Sequence, residues 1–356
     1  MRKLVITLGL AAMLLALPAA HAQGVGQVPG LWLPNASPTA TLSQTVGVTD
    51  IEMVYHRPSV NERPIWGALV PYGQVWRTGA NENTTISFST DVTIEGQSLP
   101  AGSYGLHTLP MEGEWEVIFS SDTTAWGSFS YNAENDALRV KATPEEVAHQ
   151  ESMLFAFDEV SADAATLSLR WEKLRLPITI GIDIEATTLA SIREQLKGLS
   201  QFTWQGWGQA ANWCLQNDVN LEEAVQWADN SIGAEDRFEN QSAKSQLLAK
   251  LGDDEGSAAA MQLALAKANA GQLHNYGRQL IGQGKADEAL AIFKRNADDN
   301  PETWFIGVGL ARGYSAVADF DNAAAAMKDA ITKAPAGQEA YLGGLLAQLE
   351  SGTDIN

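Results

Sequence analysis

The sequence predicts an all-β sandwich followed by a short α-helical solenoid. Two observations support this. Residues 40–185 contain about ten short runs in which apolar and polar side chains alternate, and Gly, Pro, Asn and Asp separate the runs. This period of two is typical of half-buried strands, and short strands joined by turns favour a sandwich. From Ala186 onward the turn residues become rare and the apolar residues take helical spacing, which indicates helix pairs over residues 186–350.

The first 22 residues have the features of a secretory signal peptide. Arg2 and Lys3 precede the apolar run Leu4–Leu17, and Ala20–Ala22 is a small-x-small cleavage site. The apolar run is too short to span a membrane. We therefore predict export to the periplasm or the extracellular space, with cleavage near Gln23 and a flexible leader over residues 23–39.

The composition excludes some classes of function. The formal net charge is −20, and such an acidic surface repels phosphate backbones, so we expect no nucleic-acid partner. No later segment reaches about 18 uninterrupted apolar residues, so we expect no membrane span in the mature chain. The single cysteine, Cys214, has no cationic neighbour in sequence, which favours a buried apolar role over a reactive thiol.

The β region can be divided into elements in chain order. Glu95-Gly96 predicts a hairpin turn, and Gly105 lies inside a strand pattern, which suggests a bulge or a close backbone approach. The clearest strand predictions are Thr41–Val48, Ile51–Tyr55, Thr84–Ser89, Tyr104–Leu109, Glu114–Ser120, Leu154–Phe157, Ala165–Trp171 and Leu176–Ile184.

The helical region contains an internal repeat. Thr187 or Thr188 is predicted to cap its first helix, and an offset of 34 residues then relates Ala289 to Ala323 and Pro301 to Pro335. The pattern resembles the tetratricopeptide repeat. The resemblance gives small positions at Gly277, Ala289, Ala311 and Ala323, bulky positions at Leu280, Phe293, Tyr314 and Met327, and two weaker units marked by Ala224 and Ala258.

This resemblance implies helix pairs that must stack to bury their apolar faces and that offer a concave surface to a protein or peptide partner. Four tryptophans mark the beginning of the helical region, and they have two interpretations. They fill the packing between the sandwich and the first helix pair, or they line a groove for a partner peptide. The four are Trp204, Trp207, Trp213 and Trp227.

No catalytic signature is present in the sequence. It has no HExxH, CxxC, GxSxG or Gly-rich phosphate loop, so we predict no catalytic residue, no metal site and no cofactor. His56 and His107 both lie in strand patterns, and they can assemble a site only if their side chains share one face of the sheet.

The remaining candidates are polar and aromatic residues of the stretch Val54–Pro110. They are His56, Arg57, Trp66, Tyr72, Trp76, Arg77, Asn81, Glu82 and His107, with Trp126 as a further candidate. The runs RPS, PYGQVWRTGANE and LPAGSYGL resemble domain of unknown function 2911, a family of exported bacterial proteins, over roughly Leu42–Ile184. That resemblance implies a domain and no reaction.

Two interpretations of the RTGANE segment stay open. A guanidinium, an amide, a carboxylate and aromatic rings together suit a sugar or peptide site. Alternatively, an Arg77–Glu82 pair fastens the loop and the tryptophans belong to the core. The leading functional prediction is an exported, non-enzymatic binding module. It would bind a protein or peptide through the repeats, and a small ligand or glycan at the β domain. The alternatives are a hydrolase of envelope glycan or peptide, with His56 or His107 acting beside Glu82 and Arg77, and a purely structural envelope component.

Overall fold

The computed structural model describes residues 33–356. The predicted signal peptide and residues 23–32 of the predicted leader lie outside these described residues. The described chain divides into two compact units, one ending at Thr188 and the other comprising Leu189–Asn356. Within residues 33–356, no helix is both long enough and apolar enough to cross a membrane.

The first unit contains two antiparallel sheets. The six-stranded sheet has the order β1-β2-β3-β6-β7-β8, and the four-stranded sheet has the order β5-β4-β10-β9. The strands are β1 (Thr39–Val46), β2 (Thr49–His56), β3 (Thr85–Phe88), β4 (Val92–Ile94), β5 (Gln97–Leu99), β6 (Gly102–Leu109), β7 (Trp115–Ser120), β8 (Asp136–Ala142), β9 (Glu145–Val160) and β10 (Ala164–Gly181).

The alternating pattern places one face of each sheet in a shared core. In β7 the side chains that belong to this core are Trp115, Val117 and Phe119, and in β10 they include Ile178 and Ile180. Burial of such residues stabilises the folded state by roughly 1.5–3 kcal/mol each. The two-sheet β region followed by helical repeats confirms the predicted fold class.

Two glycine-dependent features match the sequence. Glu95 and Gly96 have φ values of 48° and 76°, and they form the tight turn between β4 and β5. At Gly105 a Cβ atom would lie 2.3 Å from the backbone oxygen of Asp122. The strand therefore needs glycine here because the loop after β7 crosses directly above it.

The strands near the end of the β region differ from the prediction. Leu154–Phe157 is part of the longer β9, and the two strands predicted over Ala165–Trp171 and Leu176–Ile184 are one strand, β10. Glu172 explains the continuity. Its φ is 55° and the pairing register with β9 shifts on either side of it, so a bulge carries the strand through a polar segment that breaks the alternation.

Ten α-helices follow within the described residues. They are α1 (Ile184–Gln195), α2 (Trp204–Asn217), α3 (Leu221–Ala234), α4 (Phe238–Lys250), α5 (Asp254–Lys267), α6 (Ala270–Gly282), α7 (Ala286–Asp299), α8 (Trp304–Ala316), α9 (Phe320–Lys333) and α10 (Glu339–Glu350). The predicted cap at Thr187 or Thr188 is wrong. The Asp183 carboxylate accepts the backbone N–H of Ala186 at 2.9 Å, so the helix begins earlier.

Four helix pairs form the repeat array: α2 with α3, α4 with α5, α6 with α7, and α8 with α9, with α10 against α9. The small positions Ala289 and Ala323 and the bulky positions Phe293 and Met327 are fully buried. Small residues let the paired helices approach, and the bulky residues fill the space between neighbours, as the repeat pattern predicts.

One repeat position is corrected by the structure. The sequence pattern predicts Ala224 and Ala258 as the small positions of the two weaker units, but Ala258 is exposed. Ala224 and Ala289 each lie four residues after their N-cap, and the residue at that place in α5 is Ser257. Its backbone oxygen accepts a hydrogen bond from Ser245 of the paired helix α4 at 2.8 Å. A serine thus occupies the small-residue position of α5. The alanine that marks this position in the other units is therefore missing from the sequence here.

The four tryptophans at the start of the helical region are used in packing. Trp227 is 5% exposed, and Trp207 and Trp213 pack against the same core around α2 and α3. The guanidinium carbon of Arg237 lies 4.7 Å from the centroid of the Trp204 ring. These contacts show packing within the helical unit, which favours a packing role for the rings over a groove. Cys214 is buried in this core.

Candidate functional site

Two of the predicted site tryptophans belong to the core of the β unit. Trp66 and Trp76 pack with the buried Trp115 and Trp171, and the ring centroids of neighbouring pairs are 5.0–5.9 Å apart. Three contacts are edge-to-face, and Trp76 stacks on Trp171 with 19° between the planes. This cluster holds the RTGANE loop against the sandwich, so these two rings do not form an open stacking surface.

The loop after Trp76 is fixed through its backbone. Trp76 exchanges two backbone hydrogen bonds with Thr108, at 2.8 and 2.9 Å. Thr78 has a φ of 51°, and its carbonyl accepts the hydroxyl of Thr84 at 2.9 Å. A Cβ atom at Gly79 would lie 2.7 Å from that same hydroxyl oxygen. The RTGANE segment is therefore a rigid turn that closes on itself.

Arg77 extends from this rigid turn. Its side chain is partly buried, and its Nε atom is shielded from solvent and makes no hydrogen bond. No carboxylate within residues 33–356 lies within 4.0 Å of its guanidinium. Burial lowers the pKa of Arg77, but an arginine stays charged at any physiological pH. A half-buried positive charge without an anionic partner is energetically unfavourable and is a common mark of a binding site.

His56 and Glu82 form the direct contact in this region. The Nε2 atom of His56 lies 3.2 Å from a carboxylate oxygen of Glu82 and 2.9 Å from the hydroxyl of Thr39. Burial lowers the pKa of His56, the Glu82 carboxylate raises it, and the Arg77 guanidinium lowers it. The Arg77–Glu82 pair considered from the sequence is replaced by a His56–Glu82 pair, which leaves Arg77 available.

The other predicted residues have structural contacts or lie apart. Arg57 donates to the backbone oxygen of Met153 at 2.9 Å and so joins β2 to β9. Asn81 has a φ of 57° and donates to the backbone oxygen of Ser37 at 3.4 Å. Tyr72 lies over Gly67 and borders a shallow depression that contains none of the other predicted site residues.

His107 belongs to a different, buried group. It is 2% exposed, its Nδ1 atom lies 3.3 Å from the hydroxyl of Ser128, and its ring packs against Tyr131. Tyr131 donates to Asp136 at 2.6 Å, and Arg139 binds the same carboxylate at 2.7 Å. Burial lowers the pKa of His107, whereas Asp136 and Asp122 raise it. The group fastens the loop after β7 onto the sheet.

The structure thus brings together some of the predicted residues and separates others. His56, Glu82 and Arg77 are neighbours. His107 lies on β6, and β3 separates β6 from β2, which carries His56. Two strand spacings place the two histidine backbones about 10 Å apart. Within the described residues, no group of three or more His, Cys, Asp or Glu side chains is arranged to hold a metal ion.

An exposed aromatic pair completes this region. Trp126 is 60% exposed and Phe129 is 86% exposed, and their rings are nearly parallel, with 6.1 Å between the centroids. The backbone of Trp126 pairs with Glu82. A Cβ atom at Gly127 would lie 3.1 Å from the Phe129 ring and 3.8 Å from Nη1 of Arg77. The rings and the guanidinium therefore adjoin one another.

Sequence reasoning included Trp126 only as a further candidate and missed Phe129. The available signal was two aromatic residues around a glycine in the otherwise polar segment Asp122–Asn132, where no strand alternation would bury them. We call the patch formed by His56, Arg77, Glu82, Trp126 and Phe129 the Arg77 surface. It combines one guanidinium, one carboxylate paired with a histidine, and flat apolar rings on a rigid turn.

Comparison with known proteins gives several similarities of the helical region. The chain is similar to YrrB, described as a TPR protein with an unusual peptide-binding site (13% identity, 45% of this chain and 84% of that one, TM-score 0.30). It is also similar to PilW, a type IV pilus biogenesis factor (20%, 48% and 80%, TM-score 0.32), and to PilF of Pseudomonas aeruginosa (18%, 42% and 68%, TM-score 0.30).

No curated protein sequence matches this chain. The family comparison concerns the β region, where the strands, the tryptophan cluster and the Arg77 surface lie. Residues 37–180 match the model of the family described as protein of unknown function (DUF2911), which confirms the resemblance of the β region to that domain.

Proposed function

We propose that this protein is an exported, non-enzymatic binding module whose helical repeats hold an acidic segment of a partner protein. The β domain would supply a second binding surface for a small ligand or glycan. The observation that carries the proposal is the distribution of charge in the helical unit. Among residues 189–356, every Lys and Arg has a carboxylate within 4.0 Å except Arg278, Lys294 and Arg312.

The three exceptions lie on the consecutive helices α6, α7 and α8. Lys294 lies over the ring of Tyr314, 5.1 Å from its centroid. Arg278 is exposed, and Arg312 donates to the backbone oxygen of Ile355. In a chain with 43 acidic and 23 basic residues, cations without carboxylate partners are unusual, and their occurrence on three consecutive helices supports a site for an anionic partner.

The charges of Arg278 and Arg312 both act on the side chain of His274. Burial lowers the pKa of His274, and the charges of Arg278 and Arg312 lower it further. The His274 ring contacts the rings of Phe293 and Phe305, each 5.8 Å away between centroids. The patch therefore places two guanidinium groups beside the partly exposed rings of His274 and Phe305, which the buried Phe293 supports. This arrangement fits a peptide carboxylate flanked by apolar side chains.

A selection of random peptides on the full mature chain tests this proposal. Enriched peptides should contain Asp or Glu beside an apolar residue, and their affinity should fall about tenfold or more in the Arg278→Glu variant, since both the attraction and the hydrogen bonds are lost. Arg278 is exposed and lacks a partner within residues 33–356, so its replacement should leave folding intact. Lys197→Glu, with the same charge change, is the matched control and should keep the affinity.

Enriched peptides without acidic residues, or peptides whose affinity survives Arg278→Glu, would contradict the proposal. Export is tested separately by mass spectrometry of the protein secreted from its native cells. We expect an N-terminus at Gln23.

The contact between His56 and Glu82 favours a second candidate, the envelope hydrolase. A carboxylate that orients an imidazole is a common arrangement for a general base. Hydrolysis of cell-wall glycan or peptide by the wild-type chain, lost in His56→Gln and Glu82→Gln, would support this candidate in place of the non-enzymatic one.

A further inference from the structure

We propose that the Arg77 surface binds a monoanionic carboxylate ligand whose apolar ring face stacks on Trp126 and Phe129. This deepens the proposed function, because it rests on the β domain supplying a second binding surface and names the ligand class. It uses residues of the β unit alone and does not depend on the helical repeats.

The positive charge is the first argument. The Arg77 guanidinium is partly buried on a rigid turn, and its neighbouring acid, Glu82, is in contact with His56. An arginine offers a planar fork that matches the two oxygens of a carboxylate. Binding such a group supplies the counter-charge that residues 33–356 do not provide, so the unfavourable burial of the charge is relieved only in the complex.

The number of charges selects a carboxylate. Burial, the largest influence on His56, lowers its pKa and keeps the imidazole neutral near pH 7, and the exposed Glu82 contributes a carboxyl group and no cation. Arg77 is thus the cation that faces a ligand on this surface. The planar fork of the one guanidinium matches the two oxygens of one carboxylate, whereas the second negative charge of a phosphate dianion would find no further cation in this surface and would add to the repulsion from Glu82.

The exposed rings are the second argument. Two large, nearly parallel rings that are 60% and 86% exposed are costly in water unless a ligand covers them. Gly127 separates them with a φ of 74°, a conformation that favours glycine and that brings Phe129 towards Arg77. The loop is tied to the RTGANE turn, because Asn83 donates to the backbone oxygen of Ala125 at 3.1 Å.

Two sources can supply this chemistry, a uronic acid unit of a glycan and a peptide C-terminus next to an apolar residue. A sugar presents an apolar ring face that packs on aromatic side chains, and a Phe or Trp side chain of a bound peptide presents one as well. The experiment uses two matched pairs of probes in isothermal titration with the full mature chain. One pair is methyl α-D-galacturonoside, a monoanion, and its methyl ester, and the other is N-acetyl-phenylalanine and its amide.

We expect the charged member of one pair to bind at least tenfold more tightly than its neutral partner. Arg77→Gln should abolish this preference, and Arg77→Lys should restore only part of it, because lysine keeps the charge but lacks the fork. Trp126→Ala and Phe129→Ala should weaken both members of the pair about fivefold or more, with the preference intact. Phe202→Ala, at a ring that is 75% exposed in the helical unit, is the control and should change nothing.

The pair that shows the preference identifies the source of the ligand. The proposal is overturned if all four probes bind more weakly than 10 mM, or if charged and neutral members bind equally well to the wild-type chain. It is also overturned if the preference persists in Arg77→Gln. Should Arg77→Gln fail to fold, the two aromatic variants, at exposed positions, still decide the result. Failure here, with acidic peptides still bound by the repeats, would leave the proposed binding role of the repeats standing.

Discussion

His56 Nε2 lies 3.2 Å from Glu82 Oε2, yet the pKa of His56 is below its ordinary value. Burial outweighs the carboxylate because His56 is 9% exposed, whereas the Glu82 side chain is 65% exposed and its charge is screened by water. Arg77 adds to the lowering. The contact therefore brings a carboxylate close to an imidazole that is neutral near pH 7, which leaves the positive charge of the surface on Arg77.

Replacing Glu82 tests this electrostatic balance. Glu82→Gln removes the charge that raises the pKa of His56, so that pKa should fall further, as measured by NMR titration of the imidazole protons. Glu151→Gln removes an exposed acid elsewhere in the β unit and serves as the control, with no effect on His56. A rise in the pKa of His56 after Glu82→Gln would show that Glu82 does not act as its counter-charge.

The burial of His107 predicts how stability depends on pH. Its pKa is lowered in the folded state, chiefly by burial, so the neutral form is favoured by folding. Its contribution is complete above the unfolded value of about 6.5 and is lost as the pH falls towards the folded pKa. Denaturant unfolding at pH 7.5 and pH 5 should show a smaller acid-induced loss of stability in His107→Gln than in wild type.

The control for this measurement is His149→Gln, because the His149 side chain is 46% exposed. That variant should retain the wild-type difference between the two pH values. An equal loss in His107→Gln and wild type would mean that protonation of His107 does not oppose folding.

The difference in burial among the tryptophans predicts that the same substitution, Trp→Ala, will have very different effects on stability at two positions. Trp171 is 1% exposed and contacts Trp66 and Trp76, so Trp171→Ala should lower the free energy of unfolding by about 3–5 kcal/mol. Trp126→Ala, at an exposed ring, should change it by less than about 0.5 kcal/mol. Guanidinium unfolding followed by circular dichroism gives both values. Similar losses in the two variants would contradict the assignment of Trp126 to the surface.

Two glycines of α6 provide an internal comparison in the helical unit. A Cβ atom at Gly277 would lie 2.6 Å from the ring of Phe293, so Gly277→Ala should destabilise the unit by about 1–3 kcal/mol. At Gly282 no atom lies within 4 Å of the Cβ position, and Gly282→Ala should be neutral or should stabilise the helix by up to about 1 kcal/mol. Thermal unfolding of both variants measures the difference, and a stabilising Gly277→Ala would contradict the packing described here.

The sequence alone determined the fold class and the main features of the repeats. Alternation with a period of two fixes which side chains enter the core, as in β7, and turn residues such as Glu95-Gly96 act within a few positions of the chain. The spacing of small and bulky residues determined the helix pairs around Phe293 and Met327. These signals depend on residues that are close together in the sequence, so they can be recognised without knowledge of the tertiary contacts. The prediction failed where the local signal was missing. Ser257 stands in place of the expected alanine in α5, and Glu172 interrupts the alternation within β10.

Only the tertiary structure decided the candidate site. The RTGANE segment contains Arg77 and Glu82 five residues apart, and the sequence cannot state whether they pair with each other. The sheet order brings His56 beside Glu82, and the loop after β7 brings Trp126 and Phe129 beside Arg77. The same is true of Trp66 and Trp76, whose burial depends on Trp115 and Trp171. Charge pairing and burial depend on distances between remote segments, and those distances exist only once the sheets have formed.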